Sequence, residues 1–274
     1  MRYRAPVPAT PTTPTAPTPA ASPTLPPQGA VRFDRLDALR GVAIVWMAGF
    51  HFSFDLNRYG LMQPPQQFLT DPFWTLQRTA IVSLFLFCAG LGQAVALRAG
   101  QPWARFWRRW AQVAGCAVLV TAGSWLMFPQ SPITFGVLHG IAAMLLIVRL
   151  LAPLAAHRPG GGLVWLVLGA AALLLPQLWG NPFFDTRWTN WVGLVTHLPF
   201  TQDYVPVLPW LGVVMAGVGA GQWLLPHRPG VLAGAVPAAL RPLALLGRWS
   251  LSFYMLHQPV LVGLTRGLAA LARP

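Results

Sequence analysis

His51 and Asp55 lie four residues apart in LRGVAIVWMAGFHFSFDL (residues 39–56), a run otherwise apolar enough to cross a membrane. Residues four apart share one face of a helix, so the carboxylate can accept a hydrogen bond from one imidazole nitrogen and leave the other free. Such a pairing fixes the tautomer and raises the basicity of the free nitrogen, as a base activating an amine or a hydroxyl requires. At 1.5 Å per residue, His51 sits roughly 18 Å from a helix edge near Leu39, slightly past the middle of an apolar layer about 30 Å thick. Ionisable groups at that depth are costly unless paired or hydrated, which makes the pair a catalytic candidate. The rival reading is an interhelical hydrogen bond that only holds the bundle together.

Further polar groups fall within reach of the same zone. Arg78, in DPFWTLQRTAIVSLFLF, lies one to two turns into its run, where it either binds substrate, pairs with Asp55, or snorkels to the interface. His139, in FGVLHGIAAMLL, and Asp203 and Tyr204, in QDYVPVLPWLG, sit at the same end of their runs as Arg78. They are candidate substrate-binding residues. A structural histidine is the alternative for His139, and a helix N-cap on the following span is the alternative for Asp203. His257, in GRWSLSFYMLHQPV, lies near mid-membrane and extends the group inward, with a core hydrogen bond as its alternative. The run GVGAG at 217–221 mimics a phosphate loop, but it lies within an apolar span and reads as close helix packing.

The elements that must position these residues follow from composition. Of 274 residues, 55% are hydrophobic and 9% charged, too few charges for a water-exposed surface, so the chain reads as an all-α polytopic membrane bundle. Seven apolar runs are long enough to span: 38–57, 73–97, 109–128, 135–151, 162–178, 205–225 and 243–265. Residues 1–31 are rich in Pro, Thr and Ala, with no apolar run that packs or inserts, and read as a disordered tail before a membrane domain over 32–274. The tail lacks the apolar core of a signal peptide, so the first helix is expected to remain as a span. Cys88 and Cys116 lie inside apolar runs without metal-ligand spacing, and no metal is expected.

The +13 net charge comes from 19 arginines against six aspartates. The arginines cluster at run ends and form no basic arm or stripe, which argues against nucleic acid as a partner. With the N-terminus in the cytoplasm, Arg2, Arg4, Arg32, Arg35, Arg40, Arg98, Arg105, Arg108, Arg109, Arg149, Arg158, Arg228, Arg241 and Arg248 fall on the inner side. Only Arg58, Arg187, Arg266 and Arg273 fall outside, and this asymmetry sets the expected orientation. It places the Trp-rich stretch WGNPFFDTRWTNWVGLVTHLPFTQDY (179–204) outside as an interfacial or re-entrant piece.

The stretches RFDRLDALRGVAIVWMAGFHFSFDLNRYG, LFLFCAGLG, FGVLHGIA, DYVPVLPWLGVV and GRWSLSFYMLHQPV, in that order, resemble the bacterial membrane family grouped with the heparan-alpha-glucosaminide N-acetyltransferase catalytic domain. The likeness runs from about residue 32 to 265, and its LDALRG opening also resembles broader membrane acyltransferases of cell-surface sugars. The resemblance implies an inner-membrane, multi-pass enzyme that moves an acetyl group from cytosolic acetyl-CoA to a sugar amine or hydroxyl on the far side. Carried over by position, His51 matches the polar residue of the reaction centre, as base or transient acetyl carrier, and His257 matches the last-helix histidine. Asp37 and Arg40 match the entry motif and are, with Arg105 and Arg109, the candidates for binding the donor, whose phosphates the arginines could contact. The lysosomal branch carries an asparagine in place of His51 and its active-site histidine in the following loop. Here the loop NRYGLMQPPQQFLTDP (57–72) has no histidine. A small proton-coupled transporter using the same buried residues is the alternative function, disfavoured by an odd span count and the lack of internal repeats.

Overall fold

The computed structural model describes residues 32–155 and 161–272, so the reading of residues 1–31 as a disordered tail lies outside the described residues. Eight α-helices follow in chain order: α1 (Asp34–Arg58), α2 (Pro72–Arg98), α3 (Trp103–Met127), α4 (Val137–Ala155), α5 (Gly161–Leu178), α6 (Val207–His227), α7 (Arg241–Arg248) and α8 (Ser250–Ala272). Among the described residues there is no named strand; one isolated bridge joins Phe135 to Tyr204. Five helices, α2 to α6, are long and apolar enough to cross a membrane. Helices α1 and α8 have the length, but α1 carries Asp34, Arg35, Asp37 and Arg40 in its first turns and His51 and Asp55 near its end.

The first six expected runs match helices α1 to α6 with shifted ends. The third starts six residues earlier than its apolar run because Pro102 sets the helix start and Arg105, Arg108 and Arg109 lie on its opening turns. The seventh run is not one helix. It breaks at Trp249 into the short α7 and the long α8. The cause lies in what α7 grips: Arg248 Nη2 donates to Asp34 at 2.8 Å, and its Nε lies 3.7 Å from Asp37, tying the end of α7 to the first turn of α1. Backbones touch there as well, since a Cβ on Gly41 would run into the Leu243 carbonyl and one on Gly247 into the Asp37 carbonyl.

Helix α6 is the centre of the bundle and packs against α2, α4 and α5. Its GVGAG run is a contact surface, as its sequence setting indicates. A Cβ on Gly217 would collide with the Phe87 carbonyl of α2, and one on Gly90 with the Val214 carbonyl of α6. Helices that close approach without side chains between them, and the fully buried Leu86, Leu91, Val214 and Val218 fill the flanks of this crossing. Polar groups at the periphery are also bound: Arg149 of α4 is buried, donates to the Gln101 carbonyl, and lies 4.9 Å above the Trp103 ring.

Overpacking this crossing should cost about 1–3 kcal/mol. Gly217→Leu is therefore expected to lower the unfolding temperature in nanodiscs, while Gly49→Leu, where nothing lies within 4 Å of an added Cβ, leaves it near wild type. Equal effects at the two positions would contradict the packing.

Candidate active site

Helices α1 and α8 lie side by side and bring four polar side chains together. The rings of His51 and His257 are neighbours, with centroids 5.2 Å apart and planes tilted by 59°. One turn further along, Gln258 Nε2 donates to both carboxylate oxygens of Asp55, at 3.1 and 3.3 Å. Asp55 is 2% exposed, and this amide is its hydrogen-bond partner. The expected bond from His51 to Asp55 is not formed: among the described residues the His51 imidazole makes no hydrogen bond, and the carboxylate turns to α8 rather than back along its own helix.

His257 has a defined tautomer. Its Nδ1 lies 2.7 Å from the Tyr254 carbonyl, and a carbonyl only accepts, so Nδ1 carries the proton and Nε2 the lone pair. That Nε2 is buried and, among the described residues, has no hydrogen-bond partner. Gln258 is oriented by the same logic, because its NH2 must face the carboxylate, which leaves Oε1 buried and unpartnered. An unsatisfied buried polar atom costs about 1–3 kcal/mol, and such groups are retained where they serve a function. The Phe253 ring stacks on His257, 6.0 Å between centroids and 9° from parallel, and holds the imidazole flat.

The loop after α1 closes over this site with apolar groups. Asn57 and Gln66 exchange two hydrogen bonds, Nδ2 to carbonyl at 2.9 Å and amide to Oδ1 at 2.7 Å, which fold the loop back. Phe68, 4% exposed, then stacks on Trp74 at 4.0 Å and meets Phe50 and Phe54 edge on. Phe50 in turn lies edge on to His51, with 5.8 Å between the ring centres.

The other expected acceptor-binding residues build a separate layer. Thr121 donates to the Ile133 carbonyl at 2.8 Å and so receives the Nε2 proton of His139 at 3.1 Å, while the Gly136 amide donates to His139 Nδ1 at 3.3 Å. Both imidazole nitrogens of His139 are thereby spent on the protein. Asp203 does cap a helix, but not the one it precedes: the Val137 amide at the start of α4 donates to its Oδ2 at 2.8 Å. The following span cannot use it, because Leu208 is extended and regular helix begins beyond it. Burial pushes the Asp203 carboxyl above its ordinary value, opposed by the Val137 amide and the nearby Arg78 charge. Tyr204 donates its hydroxyl to the Asn190 carbonyl at 2.7 Å. Arg78 is exposed, and among the described residues it forms no ion pair or side-chain hydrogen bond.

The expected donor-binding residues divide. Asp37 and Arg40 are bound to each other at 2.9 Å and to the α7 junction, so their charges already have protein partners. Arg105 and Arg109 are exposed on the first turns of α3, where Arg109 donates to Gln112 at 3.2 Å. Gln258 was not among the sequence candidates. The signal lay in HQP, where a second polar side chain follows His257 in an apolar run, but a neutral amide draws no attention when ionisable groups are sought.

A family model described as heparan-alpha-glucosaminide N-acetyltransferase, catalytic, matches residues 32–259, a span that ends just past His257 and Gln258. The chain belongs to this family. No curated protein and no solved structure matches it. As a member of the heparan-alpha-glucosaminide N-acetyltransferase catalytic family, it is a membrane protein of acetyltransferase type. Both helices of the α1–α8 site fall in the matched span, α1 whole and α8 through Pro259.

If the Asp55 to Gln258 bond joins α1 to α8, their alanine substitutions will not add. A double-mutant cycle on thermal unfolding is expected to give a coupling of about 0.5–3 kcal/mol, whereas strict additivity would show that the bond contributes nothing.

Proposed function

We propose that this protein transfers the acetyl group of acetyl-CoA to an amine or hydroxyl of a sugar across the inner membrane of a bacterium, and that His257 and His51 carry the chemistry. The observation that supports this most strongly is the buried Nε2 of His257, without a partner among the described residues and held in lone-pair form by the Tyr254 carbonyl, on a ring centred 5.2 Å from that of His51, in a chain of this family. In this reading the seven long helices all span, with the N-terminus in the cytoplasm, an orientation that the arginine asymmetry supports.

Acetyl-CoA, when bound, supplies an acetyl group activated as a thioester. The orphaned His257 Nε2 fits such a reaction, since an acceptor N–H or O–H is the donor it lacks. Arg105 and Arg109 are the residues left to hold the donor's phosphates, given that Asp37 and Arg40 are bound to each other. His257 takes the acceptor proton on Nε2 while Nδ1 stays bonded to its carbonyl. His51, across from it, is the second base or the transient acetyl carrier. Asp55 and Gln258 hold the two helices in register, and Phe68 with Trp74 keeps water from the His51 side. Arg78 and Tyr204 remain candidates for contacting the acceptor. His139 and Asp203 hold the α3, α4 and α6 connections beneath it.

Calorimetry of the protein in nanodiscs is expected to show saturable acetyl-CoA binding, and a screen of amino sugars is expected to yield transfer. His257→Ala should lower transfer roughly 10²–10⁴-fold with donor affinity unchanged. His139→Ala should instead lower thermal stability and spare transfer. No saturable binding by folded protein, or full transfer by both histidine variants of the α1–α8 pair, would refute the proposal.

A further inference from the structure

The chain between α5 and α6 presents a set of large apolar side chains that nothing among the described residues covers. Trp188 is 88% exposed, Phe200 84%, Leu198 82% and Phe183 66%. These side chains do not hang from a loose loop. Asp185 accepts from the Thr196 amide at 2.7 Å, the Thr196 hydroxyl at 2.5 Å and the His197 amide at 3.3 Å, which closes the segment on itself. Those donors, the Thr196 hydroxyl first, hold the Asp185 carboxyl below its ordinary value. Thr189 donates to the Phe183 carbonyl at 2.6 Å, and Asn181 caps the short helical turn Pro182–Asp185 by accepting from the Phe183 amide at 2.9 Å. Tyr204 holds Asn190 of the segment through its hydroxyl and bridges to Phe135 of the α3–α4 connection through its backbone, while the Trp191 ring lies 6.2 Å from that of Phe135, tilted by 42°. Exposed aromatics held by that many polar bonds form a built surface, and the candidates for its occupant are water-borne partners, a second copy of the chain, and lipid.

Two observations favour lipid. The apolar exposure is continuous with α5, a helix apolar enough to cross a membrane, whose last turns show Leu174, Leu175 and Leu178 outward before Trp179 and Phe183 take over. The chemistry also matches the headgroup boundary, where Trp rings are favoured, and Arg187, exposed within the patch, suits phosphate. Asp185, the acid of the patch, is already spent on Thr196 and His197. We infer that residues 179–200 are seated in the bilayer at the boundary between headgroups and acyl chains, on the side where α5 ends, and so fix the level of the Asn190–Tyr204 layer beside α4.

Spin labels test this in the whole protein. Cysteines replace Trp188 and, in a separate variant, Phe200, in a chain with Cys88→Ala and Cys116→Ser, reconstituted in nanodiscs of phosphatidylethanolamine and phosphatidylglycerol. Leu174→Cys serves as the lipid-facing reference. At 188 and 200 the label is expected to collide with oxygen more readily than with a water-soluble nickel chelate, as at 174 but to a smaller extent, the signature of a shallow position. Nickel access exceeding oxygen access at both sites would overturn the inference and leave an aqueous docking surface. Dipolar broadening between labels of two copies, removed by dilution with unlabelled protein, would overturn it in favour of self-association.

Discussion

A polar group between apolar helices has no water to bond, so it must find a protein partner or stand at a cost of about 1–3 kcal/mol. That constraint sorts the residues of this protein. Trp110 donates to the Ala142 carbonyl, Thr265 to the Leu261 carbonyl, Arg149 to the Gln101 carbonyl, and Asp55 takes the Gln258 amide. His139 satisfies both nitrogens. Five buried side-chain atoms among the described residues have no partner, Gln93 Oε1, Trp165 Nε1, Asn190 Oδ1, His257 Nε2 and Gln258 Oε1, and the last two are set apart by lying adjacent in sequence and beside the two polar groups of α1. Both are acceptors, since their donor halves are committed to Tyr254 and Asp55. A site short of donors is matched by a molecule that brings N–H or O–H groups.

The level at which these groups meet is set at the other end of α1. The glycine contacts at Gly41 and Gly247 bring α7 onto α1 backbone to backbone, and Arg248 locks the pair through Asp34 and Asp37. Helix α8 starts two residues past that lock and climbs beside α1, seven residues to His257, while α1 climbs ten from Gly41 to His51. The entry motif carrying Asp37 and Arg40 acts on the site through this register.

Much of this was legible in the sequence and some was not, for identifiable reasons. Hydrophobic runs marked six of the helices because their lengths and apolar content exceed what any loop carries, and the setting of GVGAG identified helix packing because no strand precedes it. The break in the last run was hidden, since Gly247 and Trp249 leave its hydropathy unchanged and the cause, Arg248 reaching Asp34, is tertiary. Asp203 reads as a cap in sequence and is one, yet for α4, because a cap across the fold leaves no trace in local spacing. The His51 and Asp55 spacing correctly indicated a shared face but not the competing donor from α8. Gln258 shows the limit most plainly, as its role depends on the one neighbour that orients it.

The account rests on the protonation of one imidazole, and that can be measured. Solid-state NMR of the protein in nanodiscs, with labelled histidine assigned by comparison with His257→Ala, reads the tautomer of His257 and its contact with His51. The prediction is a ring protonated at Nδ1, with an unprotonated Nε2 and a through-space contact to the His51 ring. A proton on Nε2, or no contact between the two rings, would contradict the site as described.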